Sequence, residues 1–247
     1  MAEQVVLVTG ASGGLGKAVV AAMQAEGWSV ARVSRSLERL SPTTGSTLDI
    51  EADVSRPEGA ASALAICREK LGPPAALAHC AGTTLLAPLH RTLPEQFRGC
   101  LVANLESAFF TLSAFVDAAR QAKVSAAAAV LVSSVVARIG VANHEAIALA
   151  KAGVEGLVRS AAATYAGDGI RINAVAPGLM DTPAAASFLK TPSLREAAAR
   201  QYPLGGVSDA ADVAAAIAWL LGPAARRVSG QILPVDGGFT AIRPLVR

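Results

Sequence analysis

Short runs of Val, Ile, Leu and Ala alternate with alanine-rich stretches of helical length along the whole 247-residue sequence. Few folds accommodate such a pattern, because parallel strands need a crossover of a dozen or more residues and a helix is the usual one. The strand runs are Val5 to Thr9, Ser29 to Val33, Thr47 to Ile50, Ala75 to His79, Ala128 to Val132, Arg171 to Val175 and Gln231 to Val235. They are largely apolar, which suits strands covered on both faces. Helices are predicted over Leu15 to Ala25, Pro57 to Leu71, Pro94 to Gln121, Val141 to Tyr165, Pro183 to Gln201 and Asp209 to Leu220. The expected class is therefore α/β: a doubly wound, seven-stranded parallel sheet with helices on both faces, in one domain over residues 1–247. The segment 181–206, with Pro183, Pro192 and Pro203, is the least regular. In open α/β sheets such insertions beyond the carboxyl ends of strands commonly cover a ligand crevice, so it is a candidate substrate lid.

Composition narrows the partners. Lys and Arg total 22 against 19 Asp and Glu. So mild a balance, without a basic arm, gives no support to nucleic-acid binding. A mean hydropathy of +0.43 requires a membrane span to be considered. The longest stretch without a charged side chain, Leu71 to His90, carries Pro73, Pro74, Gly82 and Pro88, and no helix crosses a bilayer through it. The opening residues have neither a basic n-region nor a cleavage-site pattern, so no membrane partner and a cytoplasmic location are expected. Cys67, Cys80 and Cys100 are odd in number and lack a Cys-x-x-Cys pair, which favours reduced thiols. His79, Cys80, His90 and Cys100 lack ligand spacing, and no metal site is expected.

Directly after the first strand run comes Thr9-Gly10-Ala11-Ser12-Gly13-Gly14-Leu15-Gly16, followed by helical apolar spacing at Leu15, Val19, Val20 and Met23. A strand, a glycine turn and a helix start make a pyrophosphate site: the backbone approaches closely, free N–H groups donate, and the helix dipole favours negative charge. The same residues match Gly-x-Ser-x-Gly, the nucleophile elbow of hydrolases. That motif needs an oxyanion N–H from an earlier strand–helix loop, and only one strand precedes Ser12. The second strand ends Val33-Ser34-Arg35-Ser36, where an NAD site offers an acid to the ribose 2′-hydroxyl. A hydroxyl beside a guanidinium suits a 2′-phosphate instead, so NADP(H) is expected over NAD(H).

Together with Asp53-Val54, Cys80-Ala81-Gly82, Asn104, Ser133-Ser134, Lys151, Pro177-Gly178 and Val235-Asp236-Gly237-Gly238, these features resemble the short-chain dehydrogenase/reductase family across essentially the whole chain. The layout is similar to that of 3-oxoacyl-carrier-protein reductases. The resemblance implies a Rossmann fold and a dinucleotide held by Gly10, Ser12, Gly13, Gly14, Leu15, Gly16, Ser34 and Arg35. Asp53 and Val54 would flank the adenine, Ala81 and Gly82 would line its ribose, Thr182 would meet the nicotinamide end, and Pro177 and Gly178 would belong to the same cofactor site. The family motif after the fourth strand begins Asn-Asn, whereas this chain has His79-Cys80. The resemblance also implies a homo-oligomer, tetramer or dimer, pairing the helices that carry Asn104 and Lys151. Alanine-rich surfaces around Ala108, Ala118, Ala119, Ala161 and Ala162 would permit that packing.

In the family a Ser holds the substrate oxygen, a Tyr transfers the proton, a Lys four residues later lowers the Tyr pKa and binds the ribose, and an Asn supports a relay water. Ser134, Lys151 and Asn104 match. The tyrosine position is Ile147, which cannot move a proton, and losing a positioned acid costs roughly two to four orders of magnitude in rate. His144, Ile147 and Lys151 share one helical face, and a histidine is the side chain suited to proton transfer around neutrality, so it is a candidate acid. The other reading makes it the solvated start of a helix. Enoyl-carrier-protein reductases, a divergent branch, place their tyrosine seven residues before the lysine, which is the position of His144. Reduction of a double bond conjugated to a carbonyl spreads charge into an enolate that Ser134 can stabilise by hydrogen bonding.

Three functions remain open at this point. The chain is expected to reduce a carbonyl-containing small molecule or acyl thioester with NADPH, an enone or enoyl thioester being one form. A ketone or 3-oxoacyl reductase with another proton donor is the second reading, and a silent NADP-binding partner subunit the third. Lys190, Arg195 and Arg200 could meet an anionic substrate group or form a solvated face.

Overall fold

The computed structural model describes residues 4–42 and 45–243. Seven strands pair in parallel: β1 (Val5–Thr9), β2 (Ser29–Ser34), β3 (Thr47–Glu51), β4 (Ala76–His79), β5 (Ala128–Val132), β6 (Arg171–Pro177) and β7 (Ile232–Val235), in the order β3-β2-β1-β4-β5-β6-β7. Side-chain alternation divides the strands between two cores. Val5, Leu7, Leu77, Ala129 and Leu131 face α2 (Pro57–Lys70), α4 (Ser107–Gln121) and α5 (Glu145–Tyr165). Val6, Val8, Ala76, Ala78 and Val130 face α1 (Gly14–Ala25) and α7 (Ala210–Leu221). The strand order reverses between β1 and β4, so a crevice opens at their carboxyl ends, the place where such sheets bind ligands.

β3 departs from the expectation of strands covered on both faces. It is a sheet edge, with Ile50 buried and Asp49 and Glu51 exposed. Charged side chains on an edge discourage pairing with another chain.

Three predicted helices differ from expectation. The stretch 94–121 begins as α3 (Pro94–Leu101), loosens into a π turn over Val102–Glu106 and continues as α4. Side chains satisfy carbonyls around that turn: Asn104 Nδ2 donates to Cys100 O at 2.9 Å and Ser107 Oγ to Ala103 O at 2.8 Å. Together these segments are long and apolar enough to cross a membrane, yet Ala108, Leu112, Phe115 and Ala119 are buried in the protein's own core. The helix expected over 141–165 starts at Glu145, because Asn143 adopts a positive φ of 64°, a conformation that no helix continues through. In the expected helix 183–201, only Pro183–Ala185 forms a single turn and Pro192–Ala199 forms α6. Thr191 Oγ1 caps α6 by accepting from Leu194 N, and Pro192 provides its first-turn residue.

The alanines proposed as a subunit surface are not one. Ala108, Ala118, Ala119, Ala161 and Ala162 are all buried, packed with the sheet. Their small size lets α4 and α5 lie close to the strands, and this explains them without a second chain.

Candidate active site

The glycine turn closes against β4. Gly10 has φ +63°, and a Cβ there would lie 2.7 Å from Ala81 N, so only glycine permits this approach. Gly13 N donates to Gly10 O at 2.9 Å, and α1 starts at Gly14 with Gly13 as its N-cap residue. Leu15 and Gly16 are buried, Leu15 in the core beneath the turn. A side chain at Gly14 would strike Thr182 at 2.8 Å, which brings the start of segment 181–206 directly onto the turn. At the end of β2, Ser34 Oγ shares a hydrogen bond with Ser12 Oγ at 3.2 Å and donates to Ser36 O at 2.9 Å. Arg35 is exposed beside them. Asp53 accepts from the hydroxyl and N–H of Ser55, and these bonds hold its carboxyl below the usual range, with Arg35 adding attraction. Val54, next to it, is buried.

Behind the crevice, Asn104 is 1% exposed and its Oδ1 accepts from Thr83 N at 3.2 Å. A Cβ on Gly82 would lie 2.7 Å from that Oδ1 and 3.5 Å from Lys151 Nζ. The structure thus brings Gly82, Asn104 and Lys151 together. Lys151 is buried, donates from Nζ to Val132 O at 2.8 Å, and has its pKa pulled down to about 8 by burial. Ser134 follows β5 and caps the turn Val135–Ala137, its Oγ accepting from Val136 N at 3.4 Å.

Ile147 is sealed in an apolar cluster with Cys100, Ala146 and Ala150, against which Leu85, Phe97 and Val136 pack. His144 sits at the start of α5, partly exposed, with Nδ1 2.7 Å from Ala142 O. Since the carbonyl can only accept, Nδ1 carries the proton in the neutral ring and Nε2 is the basic nitrogen. Arg195 is paired with Asp181 and Arg200 with Glu196, so neither is a free cation awaiting an anion. Among the described residues, no group of His, Cys, Asp and Glu is arranged to hold a metal ion.

Sequence reasoning missed several supports. His79, where the family motif has Asn, is fully enclosed. Its Nδ1 lies 3.0 Å from Thr9 Oγ1 and its Nε2 lies 3.2 Å from Ser107 Oγ. Ser107 donates to Ala103 O, so its oxygen accepts from Nε2–H. Thr9 Oγ1 accepts from Ala81 N and donates to Nδ1. This chain of hydrogen bonds ties the glycine turn to the π turn and requires a neutral imidazole, and burial, with Lys151 adding to it, lowers its pKa to about 3. Tyr202 was also overlooked. Its ring lies 2.7 Å from where a Gly178 Cβ would stand, and its hydroxyl accepts from Leu179 N at 2.7 Å. It secures the segment after Pro177, the last residue of β6. Nothing local marks Tyr202 in the sequence. Glu155 carries a signal, an acid on the stripe Ile147, Lys151, Val154 and Val158 that α5 buries.

A parallel sheet with its crevice at the point of strand reversal, a glycine turn opening a helix there and a buried lysine behind it define a dinucleotide-dependent α/β enzyme. Residues 10–240 match the family model described as "Enoyl-(Acyl carrier protein) reductase", and the chain belongs to the short-chain dehydrogenase/reductase family. It is 35% identical to cis-4-hydroxycyclohexanecarboxylate dehydrogenase of Sinomonas cyclohexanicum, covering 98% of each chain. It is 33% identical to 2-(R)-hydroxypropyl-CoM dehydrogenase of Xanthobacter autotrophicus, covering 97% of this chain and all of that one. The solved structure of Thermoplasma acidophilum aldohexose dehydrogenase in ligand-free form superposes with a TM-score of 0.91 at 26% identity, covering 99% and 97% of the two chains. The protein is an NAD(P)-dependent oxidoreductase acting on small substrates.

The residues present fit that cofactor. α1 begins at Gly14, directly after the glycine turn that follows β1, and no side chain caps it, so the first N–H groups of the helix suit a phosphate.

Proposed function

We propose that the protein reduces a carbonyl-containing small molecule or acyl thioester with NADPH, and that its preferred substrates carry a double bond conjugated to the carbonyl. The observation that carries this reading is the convergence of Asn104 and Lys151 on Gly82 while Ile147, four residues before Lys151, is sealed among apolar side chains. The apparatus for binding and polarising is present, and a proton donor at that position is not. Two relatives named as dehydrogenases of hydroxy compounds support a carbonyl in the oxidised form of the substrate.

Bound NADPH would supply a hydride to the β carbon of the conjugated system. The Ser134 hydroxyl donates to the carbonyl oxygen, where negative charge collects as the enolate forms. The proton that completes reduction goes to the α carbon from water or from His144 Nε2. Lys151 would hold the nicotinamide ribose through its ammonium form, and Asn104 fixes the Thr83 end of the loop that would line it. The Ser12, Ser34 and Arg35 group would take the 2′-phosphate, and Thr182, which packs on the glycine turn, would meet the cofactor toward its nicotinamide end. The cofactor contacts are completed by Gly10, Gly13, Gly14, Leu15, Gly16, Asp53, Val54, Ala81, Gly82, Pro177 and Gly178.

A second reading is ketone reduction with His144 as the acid. The Ala142 carbonyl on Nδ1 favours it, because it leaves Nε2 to gain and give the proton.

NADPH oxidation against matched ketones, 3-oxoacyl thioesters, enones and enoyl thioesters, with product identification, tests both. Turnover confined to conjugated substrates supports the first, and ketone reduction lost in His144→Ala supports the second. Tight NADPH binding without turnover of any substrate would point to a silent partner subunit.

A further inference from the structure

Glu155 is a buried carboxylate that the proposed chemistry leaves unused. It stands one helical turn beyond Lys151, and its Oε1 accepts from Ser133 Oγ at 3.1 Å and from Arg138 Nε at 3.2 Å. Arg159 approaches Oε2 at 3.5 Å. The first two partners belong to the segment that carries Ser134. Ser133 directly precedes it, and its hydroxyl also reaches the Lys151 carbonyl at 3.4 Å. Arg138 closes the turn that Ser134 caps, and its Nη2 donates to Ile232 O of β7 at 3.1 Å. A buried ion pair repays little of its desolvation cost as stability, so the arrangement needs another account.

We propose that Glu155 is a positioning residue: its carboxylate fastens the segment bearing Ser134 to the turn of α5 bearing Lys151, and so sets the spacing between substrate hydroxyl and ribose-holding amine. The inference rests on the roles of Ser134 and Lys151 given above. A shift of about 1 Å in such a spacing costs on the order of a hundredfold in rate. With the carboxylate gone, Ser133 keeps only its long bond to the Lys151 carbonyl, and Arg138, about one-third exposed, turns to solvent. The Lys151 amine, packed against Val132 and influenced by His79, Cys80 and Cys100, then sits in a looser and wetter surround.

The test compares the wild type with Glu155→Gln, Arg138→Gln and the double variant, each well below its melting temperature. Turnover per NADPH-binding site is measured on the substrate panel. NADPH affinity is measured by fluorescence, and the Lys151 amine titration by heteronuclear NMR, assigned with Lys151→Met. Glu155→Gln is expected to bind NADPH and to lose roughly tenfold or more in kcat, the double variant being no worse than the more severe single change. The Lys151 titration should move away from about 8, because the surround of its amine changes. Wild-type kcat with an unmoved Lys151 titration in Glu155→Gln would overturn the inference. Should Glu155→Gln not fold, Arg138→Gln carries the same comparisons, since its side chain reaches water. If the wild type reduces nothing in the panel, the functional reading fails while the Lys151 titration still decides: an unmoved value overturns the positioning role.

Discussion

Lys151 Nζ donates to the Val132 carbonyl at 2.8 Å across the gap between α5 and the end of β5. The bond places an ammonium in a site where burial lowers its pKa from 10.5 to about 8. A base with a depressed folded pKa contributes stability above its unfolded pKa and loses it as pH falls through the folded one. Its share of stability therefore rises between pH 8 and 10.5, by about 3 kcal/mol. Cys80, whose thiol burial pushes up to about 12, acts in the opposite sense over an overlapping range. The measurement is thus a difference: the stability gap between wild type and Lys151→Met, in urea at pH 7.5 and 10, should shift toward the wild type at the higher pH. A constant gap would remove the titration argument.

His79 gives the acid-side counterpart. Its imidazole is held neutral, with a pKa near 3 against 6.5 when exposed, chiefly by desolvation. The unfolded chain gains this proton first, so the stability it contributes is complete above pH 6.5 and is lost as pH falls toward 3. The loss reaches about 3 kcal/mol at pH 4. Unfolding curves from pH 7 to 4 should be steeper in pH for the wild type than for His79→Gln.

Ser134→Ala is expected to lower turnover by about a hundredfold or more, the usual effect of removing one donor from a developing oxyanion. Its NADPH affinity should match the wild type. Unchanged turnover would exclude Ser134 from the chemistry.

Ile147→Tyr tests the proton. A phenol at this position should raise ketone reduction by about two to four orders of magnitude, while overpacking the cluster around Cys100 and Phe97 costs about 1–3 kcal/mol. Rates on ketones and thermal melts report the two effects separately. A melt that falls without any gain on ketones would mean the donor already lies elsewhere, with His144 the first to examine.

Arg35→Asp tests cofactor choice. A carboxylate beside Ser34 should weaken NADPH binding by about tenfold to a hundredfold, the worth of one charge-assisted contact, and leave NADH binding no weaker. Equal losses for both cofactors would place the 2′-phosphate away from Arg35.

Much of the candidate site was legible as a set of motifs because its signals are local. The glycine turn announces itself within eight residues, and Ser34-Arg35 follows from the end of the next strand. The alternation of strand and helix gave the layers, with boundaries mostly within one or two residues. The π turn at Asn104 was not legible, because a loosened helix differs from a regular one only in where its carbonyls find donors, here the side chains of Asn104 and Ser107. Nor was the fate of the five alanines: burial against the sheet and burial against another subunit select the same small residue.

Taken alone, the order of residues determined the α/β class, the glycine turn after β1 and the isoleucine four places before Lys151, since each depends on near neighbours or on periodicity. Tertiary structure decided what those residues meet. It set Lys151 and Asn104 against Gly82, enclosed Ile147, kept His79 neutral between Thr9 and Ser107, and joined Glu155 to Arg138. These partners are 17 to 70 residues apart for Glu155–Arg138 and His79–Thr9. Desolvation and hydrogen-bond geometry depend on distance in space, which a linear order does not carry until the sheet has brought its strand ends together.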